Sequence, residues 1–268
     1  MNVELIRQTL GRVARMELAR VEYVPQIDST NAEAMRRLHN GDRESGLLVA
    51  GQQTSGRGRR GRSWLSPAGQ GIYMTLVKEV SGPADSLQSL SLVTALSVHA
   101  ALQGVGANGL KLKWPNDIYH NNRKLAGILL ELFRDTERHY LVFGICLNIC
   151  LQEETLSGIG QPATDLLNVL SDLPANERVV AAICNQLLLN LNRFDEKGFG
   201  QFRQQWNQHD QFLGEQVELV DGNRTICGSV LGVDEFGALR LESSTGIVHV
   251  NSGELLPSLR PASTGHGA

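Results

Sequence analysis

Between Gly56 and Trp64 the chain reads GRGRRGRSW, four arginines and three glycines closed by a tryptophan. Guanidinium groups grip phosphate and carboxylate through paired, charge-assisted hydrogen bonds. Glycines at 56, 58 and 61 let a backbone approach a ligand and present its N–H groups. Together these residues make an anion clamp. It is not a Walker loop, because GxxxxGK[ST] is absent. Contact with nucleic acid and a plain solvated loop are the competing readings. RGG-type segments usually recur in disordered stretches, whereas this one occurs once between apolar runs, and a net charge of −3 gives no general nucleic-acid footprint.

Positioning such a loop falls to elements legible as hydrophobic periodicity. GLLVAGQQ before it and GIYMTLVKEV after it read as buried strands, so the arginines stand at a sheet edge. Leu5, Ile6, Leu10, Val13 and Met16 follow helical spacing, and ARVEYV then alternates as a strand. STNAEAMRRLHNG reads as a helix, with Thr30 and Glu33 as a capping box and Asn40-Gly41 as its stop. Residues 85–103 form an amphipathic helix. A hairpin follows, LKLKWPNDIYH and LAGILLELF joined by the turn NNRK, and YLVFGICLNI is a further strand. ANERVVAAICNQLLLNLNRF is a strong amphipathic helix. After Leu213 short strands separated by glycines predict a small all-β barrel. The fold class is α/β with a β appendage.

Three stretches taken together, DSTN (Asp28 to Asn31), QTSGRGRRGRSW (Gln53 to Trp64) and KWPNDIYHNNRKLAGILLEL (Lys113 to Leu132), resemble the signature segments of biotin protein ligases in order and approximate spacing. The resemblance covers about residues 20–258. It implies a mixed-sheet catalytic domain of the biotin/lipoate ligase type over 1–212 and an SH3-like barrel over 213–258, leaving 259–268 as a disordered tail. It also implies ATP-dependent biotinylation of a lysine on the biotin carboxyl carrier protein of biotin-dependent carboxylases, through biotinyl-5′-AMP and with Mg²⁺ accompanying ATP. One position departs from the family pattern. Where Gly-x-Gly-x-Asn is usual, GICLN puts Cys146 at the second glycine and keeps Asn148.

The same resemblance distributes roles. Lys124 is the central cation near both the biotin carboxylate and the α-phosphate, against a solvated strand-end lysine. Arg57, Arg59 and Arg62 close over carboxylate and phosphate, and Arg60 is solvated or structural. Ser29, Thr30, Asn31 and Gln53 belong to the biotin pocket, with helix capping as the alternative use of the two hydroxyls. Gly56 and Gly127 allow backbone approach to biotin, and Leu129 lies against its apolar part. Trp64, Asn116 and Asn148 fall on the ATP side, with simple core burial the alternative for Trp64. Asp117 places Mg²⁺, accepts a proton from the incoming lysine, or is a structural turn carboxylate. The glycines of the arginine loop make it mobile without ligand, a lid over the adenylate.

A lipoate or octanoate ligase of the same fold and a non-catalytic biotin sensor are the other readings; retention of Lys124 and Arg59 argues against the sensor. The 27 residues before Asp28 have room for one helix and one strand, so a three-helix DNA-reading module is not expected. Hydrophobic residues are 41% and charged residues 20%, an ordinary globular balance, with no run of 18 apolar residues. The expected setting is cytoplasmic. The four cysteines lack CxxC or zinc-like spacing and read as reduced and mostly buried. Partners are the two small substrates and the carrier domain, with no nucleic acid and no membrane, as a monomer or homodimer.

Overall fold

In the computed structural model, residues 1–80, 87–135, 138–222 and 224–257 are described. The expected tail at 259–268 and the start of the helix expected from residue 85 lie outside them. The first elements are α1 (Val3–Thr9), α2 (Arg12–Glu17), β1 (Arg20–Val24), α3 (Thr30–His39), β2 (Gly46–Ala50), β3 (Gly71–Val80) and α4 (Leu87–Gly104). Then come β4 (Leu110–Lys113), β5 (Asp117–His120), β6 (Arg123–Arg134), β7 (His139–Asn148), α5 (Glu153–Gly158), α6 (Asn176–Lys197) and α7 (Arg203–His209). The chain closes with β8 (Gln216–Asp221), β9 (Arg224–Val233), β10 (Leu239–Ser243), β11 (Gly246–Val250) and β12 (Glu254–Pro257).

A seven-stranded sheet has the order β1-β2-β3-β7-β6-β5-β4. Only β1 and β2 run parallel among its pairings. Alternation along β7 assigns its faces: Leu141, Phe143, Ile145 and Leu147 join the main core with α4 and α6. Tyr140 and Val142 point the other way and pack with Ala34 and Leu38 of α3. Gly144, covered by the Asn31 side chain from the first turn of α3, and Cys146 continue that second face to where a cleft opens. The all-β unit is present as a five-stranded antiparallel sheet, β11-β10-β9-β8-β12, with Val217, Leu219, Val230, Leu239, Leu241 and Leu255 buried. No helix among the described residues is long and apolar enough to cross a membrane.

Several sequence expectations need correction. The N-terminal helix is two helices broken at Leu10-Gly11. The residues it buries are Ile6, Leu10, Ala14 and Leu18, while Leu5 and Met16 are 39% and 75% exposed. The expected hairpin is a three-stranded meander, since Trp114-Pro115-Asn116 splits its first arm into β4 and β5. Its second turn is shorter than NNRK: only Asn121 and Asn122 lie between strands, both left-handed at φ 49° and 60°. Asparagine tolerates that conformation because its side chain is short and polar. The cysteines are free, but only Cys184 is buried; Cys146 and Cys150 are half-buried and Cys227 is exposed.

Candidate active site

The cleft is built on the open face of the large sheet and has two connected parts. The inner cavity, ≈ 120 Å³, has Ser29, Thr30 and Gln53 at a polar end and Leu129 and Cys146 on its floor. The outer cavity, ≈ 1010 Å³, is enclosed by Asn148, residues 158–163, Gln211, Phe212 and Leu256. Arg62, Ser63, Trp64, Lys113, Lys124 and Glu254 line both.

Lys124 stands at the junction because of a bulge. The β5–β6 register passes from Tyr119↔Lys124 to Ile118↔Ala126, leaving Leu125 as an extra residue. Strict alternation would turn Lys124 away from the face holding Gly127 and Leu129; the added residue turns it back. The bulged backbone finds other partners, Lys124 N–H donating to Pro162 O at 3.0 Å and Thr164 N–H to Lys124 O at 2.9 Å. Lys124 Nζ lies 2.7 Å from Asp117 Oδ2 and 5.2 Å from the centre of the Trp64 ring. Asp117 Oδ1 is buried without a partner. A Cβ on Gly127 would lie 2.7 Å from the Trp64 ring and 3.2 Å from Lys124 Cε, so glycine there admits both side chains.

The polar end is a hydrogen-bond chain. Gln53 Oε1 accepts from Thr30 N–H at 2.9 Å and from Thr30 Oγ1 at 3.2 Å, and Gln53 Nε2 donates to Ser66 Oγ at 3.0 Å. Thr75 Oγ1 lies 2.7 Å from both Thr30 Oγ1 and Asn31 Oδ1. The N-cap of α3 is Ser29, whose Oγ accepts from Ala32 N–H at 3.3 Å, which moves the cap one residue from the expected Thr30. That hydroxyl still has a proton to donate. Asn31 donates to Glu131 Oε2 at 2.9 Å and fills the space above Gly144, where a Cβ would meet its Oδ1 at 2.2 Å.

The arginine loop is a small hairpin, closed by Gly58 N–H to Arg62 O at 2.7 Å and Trp64 N–H to Gly56 O at 2.9 Å. Gly56 is buried behind the wall rather than in it: a Cβ there would lie 2.4 Å from Trp64 O. Each arginine has a partner. Arg57 pairs with Glu131 at 3.2 Å, Arg59 donates to Asn116 Oδ1 at 3.2 Å, Arg60 reaches Asp221 at 3.3 Å and Arg62 pairs with Glu254. Arg59 is half-buried, and burial lowers its pKa. Asn116 is itself anchored through Nδ2 to Ile128 O. Asn148 spends its Nδ2 on Thr164 O at 2.9 Å and Lys124 O at 3.4 Å, so it steadies the lysine's backbone. Cys146 faces Gly127 across the β6–β7 pair, with Sγ 3.8 Å from Gln53 Nε2. Burial pushes its thiol up to about 12, so it is neutral at pH 7.

Lys113, Tyr119, Phe212 and Glu254 complete the cleft without having been singled out from the sequence. Lys113 Nζ lies 5.3 Å from the Tyr119 ring and 5.9 Å from that of Phe212, and burial lowers its pKa. Its place in KWPND was the available signal. Glu254 and Phe212 had none, because they come from distant elements.

Residues 23–148 match the model of the biotin/lipoate A/B protein ligase family, and residues 212–255 that of the biotin protein ligase C-terminal domain. The bifunctional ligase/repressor BirA of Escherichia coli is 34% identical over 259 residues, 96% of this chain and 78% of that protein. The biotin–[acetyl-CoA-carboxylase] ligase of Paracoccus denitrificans is 34% identical, over 82% of this chain and 93% of its own. The Aquifex aeolicus biotin protein ligase, solved with biotin and ATP, superposes with a TM-score of 0.76 at 32% identity, covering 89% of this chain and 98% of that one.

Proposed function

The chain belongs to the biotin/lipoate A/B protein ligase family, and we propose that it condenses biotin with ATP to biotinyl-5′-AMP and passes the biotinyl group to a lysine of a biotin carboxyl carrier domain. The observation that carries this reading is the place of Lys124, at the junction of a small inner cavity with a polar end and a large outer one. Biotin would occupy the inner cavity with its ureido ring toward Ser29, Thr30 and Gln53 and its ring and chain over Leu129 and Cys146. Its carboxylate would then meet the α-phosphate at Lys124.

The nucleophile is a carboxylate, already ionised at neutral pH, so the first step needs no strong base. The barrier is the approach of two anions. Lys124, Arg59 and Arg62 lower it by placing fixed positive charge where negative charge accumulates. The carboxylate oxygen bonds to the α-phosphorus and pyrophosphate leaves. In the second step the carrier amine attacks the acyl carbon and AMP leaves. The amine must first lose a proton, and in this reading Asp117, whose Oδ1 is buried and unpartnered, would take it. The same oxygen fits a Mg²⁺ that draws most of its ligands from phosphate and water. Among the described residues no cluster of three carboxylate, histidine or cysteine side chains could hold a metal alone. Mg²⁺ would supply further neutralisation of the phosphates.

Incubating the protein with biotin, MgATP and a purified carrier domain should add one biotinyl group to the carrier by mass spectrometry. Pyrophosphate release with lipoate but not biotin would replace this reading by its lipoate counterpart. Biotin binding without pyrophosphate release would replace it by a sensor.

A further inference from the structure

The second sheet takes hold of the arginine loop at two points. Asp221 ends β8 and Glu254 begins β12, and these strands are paired with Glu254 opposite Val220, so the two carboxylates are neighbours at one end of the sheet. Asp221 pairs with Arg60 at 3.3 Å, and Glu254 binds Arg62 through both its oxygens, Nη1 to Oε1 at 2.8 Å. Between the two arginines is only Gly61, with φ +73°. Arg60 itself is left-handed at φ 56°, a conformation that costs an arginine and must be offset by what its side chain gains. Ser252 Oγ donates to Asp221 Oδ2 at 2.9 Å and fixes that carboxylate.

We infer that Asp221 and Glu254 are positioning residues for the arginine loop, through which the second sheet sets the affinity for ATP and the retention of the acyl-adenylate. The inference rests on the ligase reading above. An arginine has five N–H donors in a planar fork, and Glu254 uses two of those of Arg62. The others remain for phosphate. Glu254 therefore aims the fork rather than occupying the ligand's place. The hold of Arg62 draws the Glu254 carboxyl below its ordinary range, so it is ionised at neutral pH. Arg57 and Arg59 make their own contacts elsewhere, with Glu131 of β6 and with Asn116 between β4 and β5.

The test is steady-state pyrophosphate release with ATP and biotin varied separately, alongside chromatographic measurement of biotinyl-AMP free in solution. Glu254→Gln should raise KM for ATP about 5- to 20-fold while KM for biotin changes less than about 2-fold, and should increase free adenylate. Asp221→Asn should do the same more weakly, about 2- to 5-fold, because Asp221 holds Arg60 through one contact at 3.3 Å where Glu254 holds Arg62 through two. Arg60→Asp should match or exceed that loss, and adding Asp221→Arg to it should recover most of it. A merely structural role would move both KM values together and give no recovery on swapping. Wild type that releases no pyrophosphate overturns the ligase reading and this inference together. Wild type that is active, with variants that match it, bind ATP more tightly or lose both substrates equally, overturns this inference alone.

Discussion

In the role proposed for it Lys124 must be desolvated and aimed, and its surroundings supply both conditions. Its side chain is 14% exposed, Asp117 accepts from it at 2.7 Å, and Trp64 covers it. Lys124→Met keeps the length and removes the charge. Loss of one charge-assisted contact to a phosphoryl group in transfer removes roughly 3 kcal/mol or more, on the order of 100-fold in rate. Pyrophosphate release should fall by that factor with biotin affinity changed far less; near-normal release would remove Lys124 from the chemistry. A second prediction separates two hydroxyls. Ser29→Ala removes the cap of α3 and should cost about 1 kcal/mol of stability. Thr30→Val removes the hydroxyl at the polar end and one of the two hydrogen bonds that Gln53 Oε1 accepts from Thr30, and biotin affinity should fall by roughly 1–3 kcal/mol. Calorimetric titration and thermal melting of both variants check the assignment, and the opposite pattern would return the cap to Thr30. Residue types here were legible in the sequence. The capping offset was not, since Ser-Thr offers two adjacent hydroxyls and propensity does not choose between them.

The hairpin of arginines and the bulge in β6 are where element-scale reasoning stopped short. Apolar runs on either side located the loop, and glycine spacing identified it as a close-approach segment. Its carboxylate partners were invisible, because Asp221 and Glu254 are 161 and 192 residues further along. The bulge left no period to read either: RKLAG puts two apolar residues side by side, which fits a buried strand as well as a register slip. With Arg59 donating to Asn116 over the cleft, the loop carries a third prediction. Arg59→Gly should still form biotinyl-AMP but hold it less tightly by roughly 1.5–3 kcal/mol, about 10- to 100-fold. Adenylate that escapes acylates any accessible amine, so the variant should label serum albumin on a streptavidin blot. Equal, faint labelling by wild type and variant would show that the loop does not retain the intermediate.

At the scale of the whole molecule, alternating helices and strands followed by a glycine-punctuated β segment were enough to set the fold class. What the pattern could not show was a polar cluster inside the core beside the second sheet. His99 of α4 is fully buried, its ring 4.2 Å from that of His209, and its Nε2 meets Leu110 O at 3.2 Å. Asp210 follows α7, buried, accepting from Phe212 N–H at 2.9 Å, and the Trp206 indole partly offsets the burial of its carboxyl from outside ideal hydrogen-bond geometry. Burial acts on the two in opposite directions. It lowers the His99 pKa from 6.5 to about 4, helped by His209 and Lys111, and raises that of Asp210 from 3.8 to about 6. For His99 the folded value lies below the unfolded one, so its stabilising share is complete above pH 6.5 and is lost as pH falls through 4. For Asp210 the folded value lies above, so its share is complete below pH 3.8 and is lost as pH rises through 6. Each amounts to roughly 3 kcal/mol at most. Between pH 4 and 6 the two slopes oppose each other, and these groups leave wild-type stability nearly level there. Asp210→Asn removes one slope and exposes the other. Denaturant midpoints should then fall steeply on acidification from pH 6.5 to 4.5 in the variant and much less in wild type. Because an asparagine amide facing Trp206 could itself cost about 1–3 kcal/mol, the readout is the slope and not the level. Parallel pH profiles for the two proteins would show that Asp210 is ionised in the fold at every pH tested.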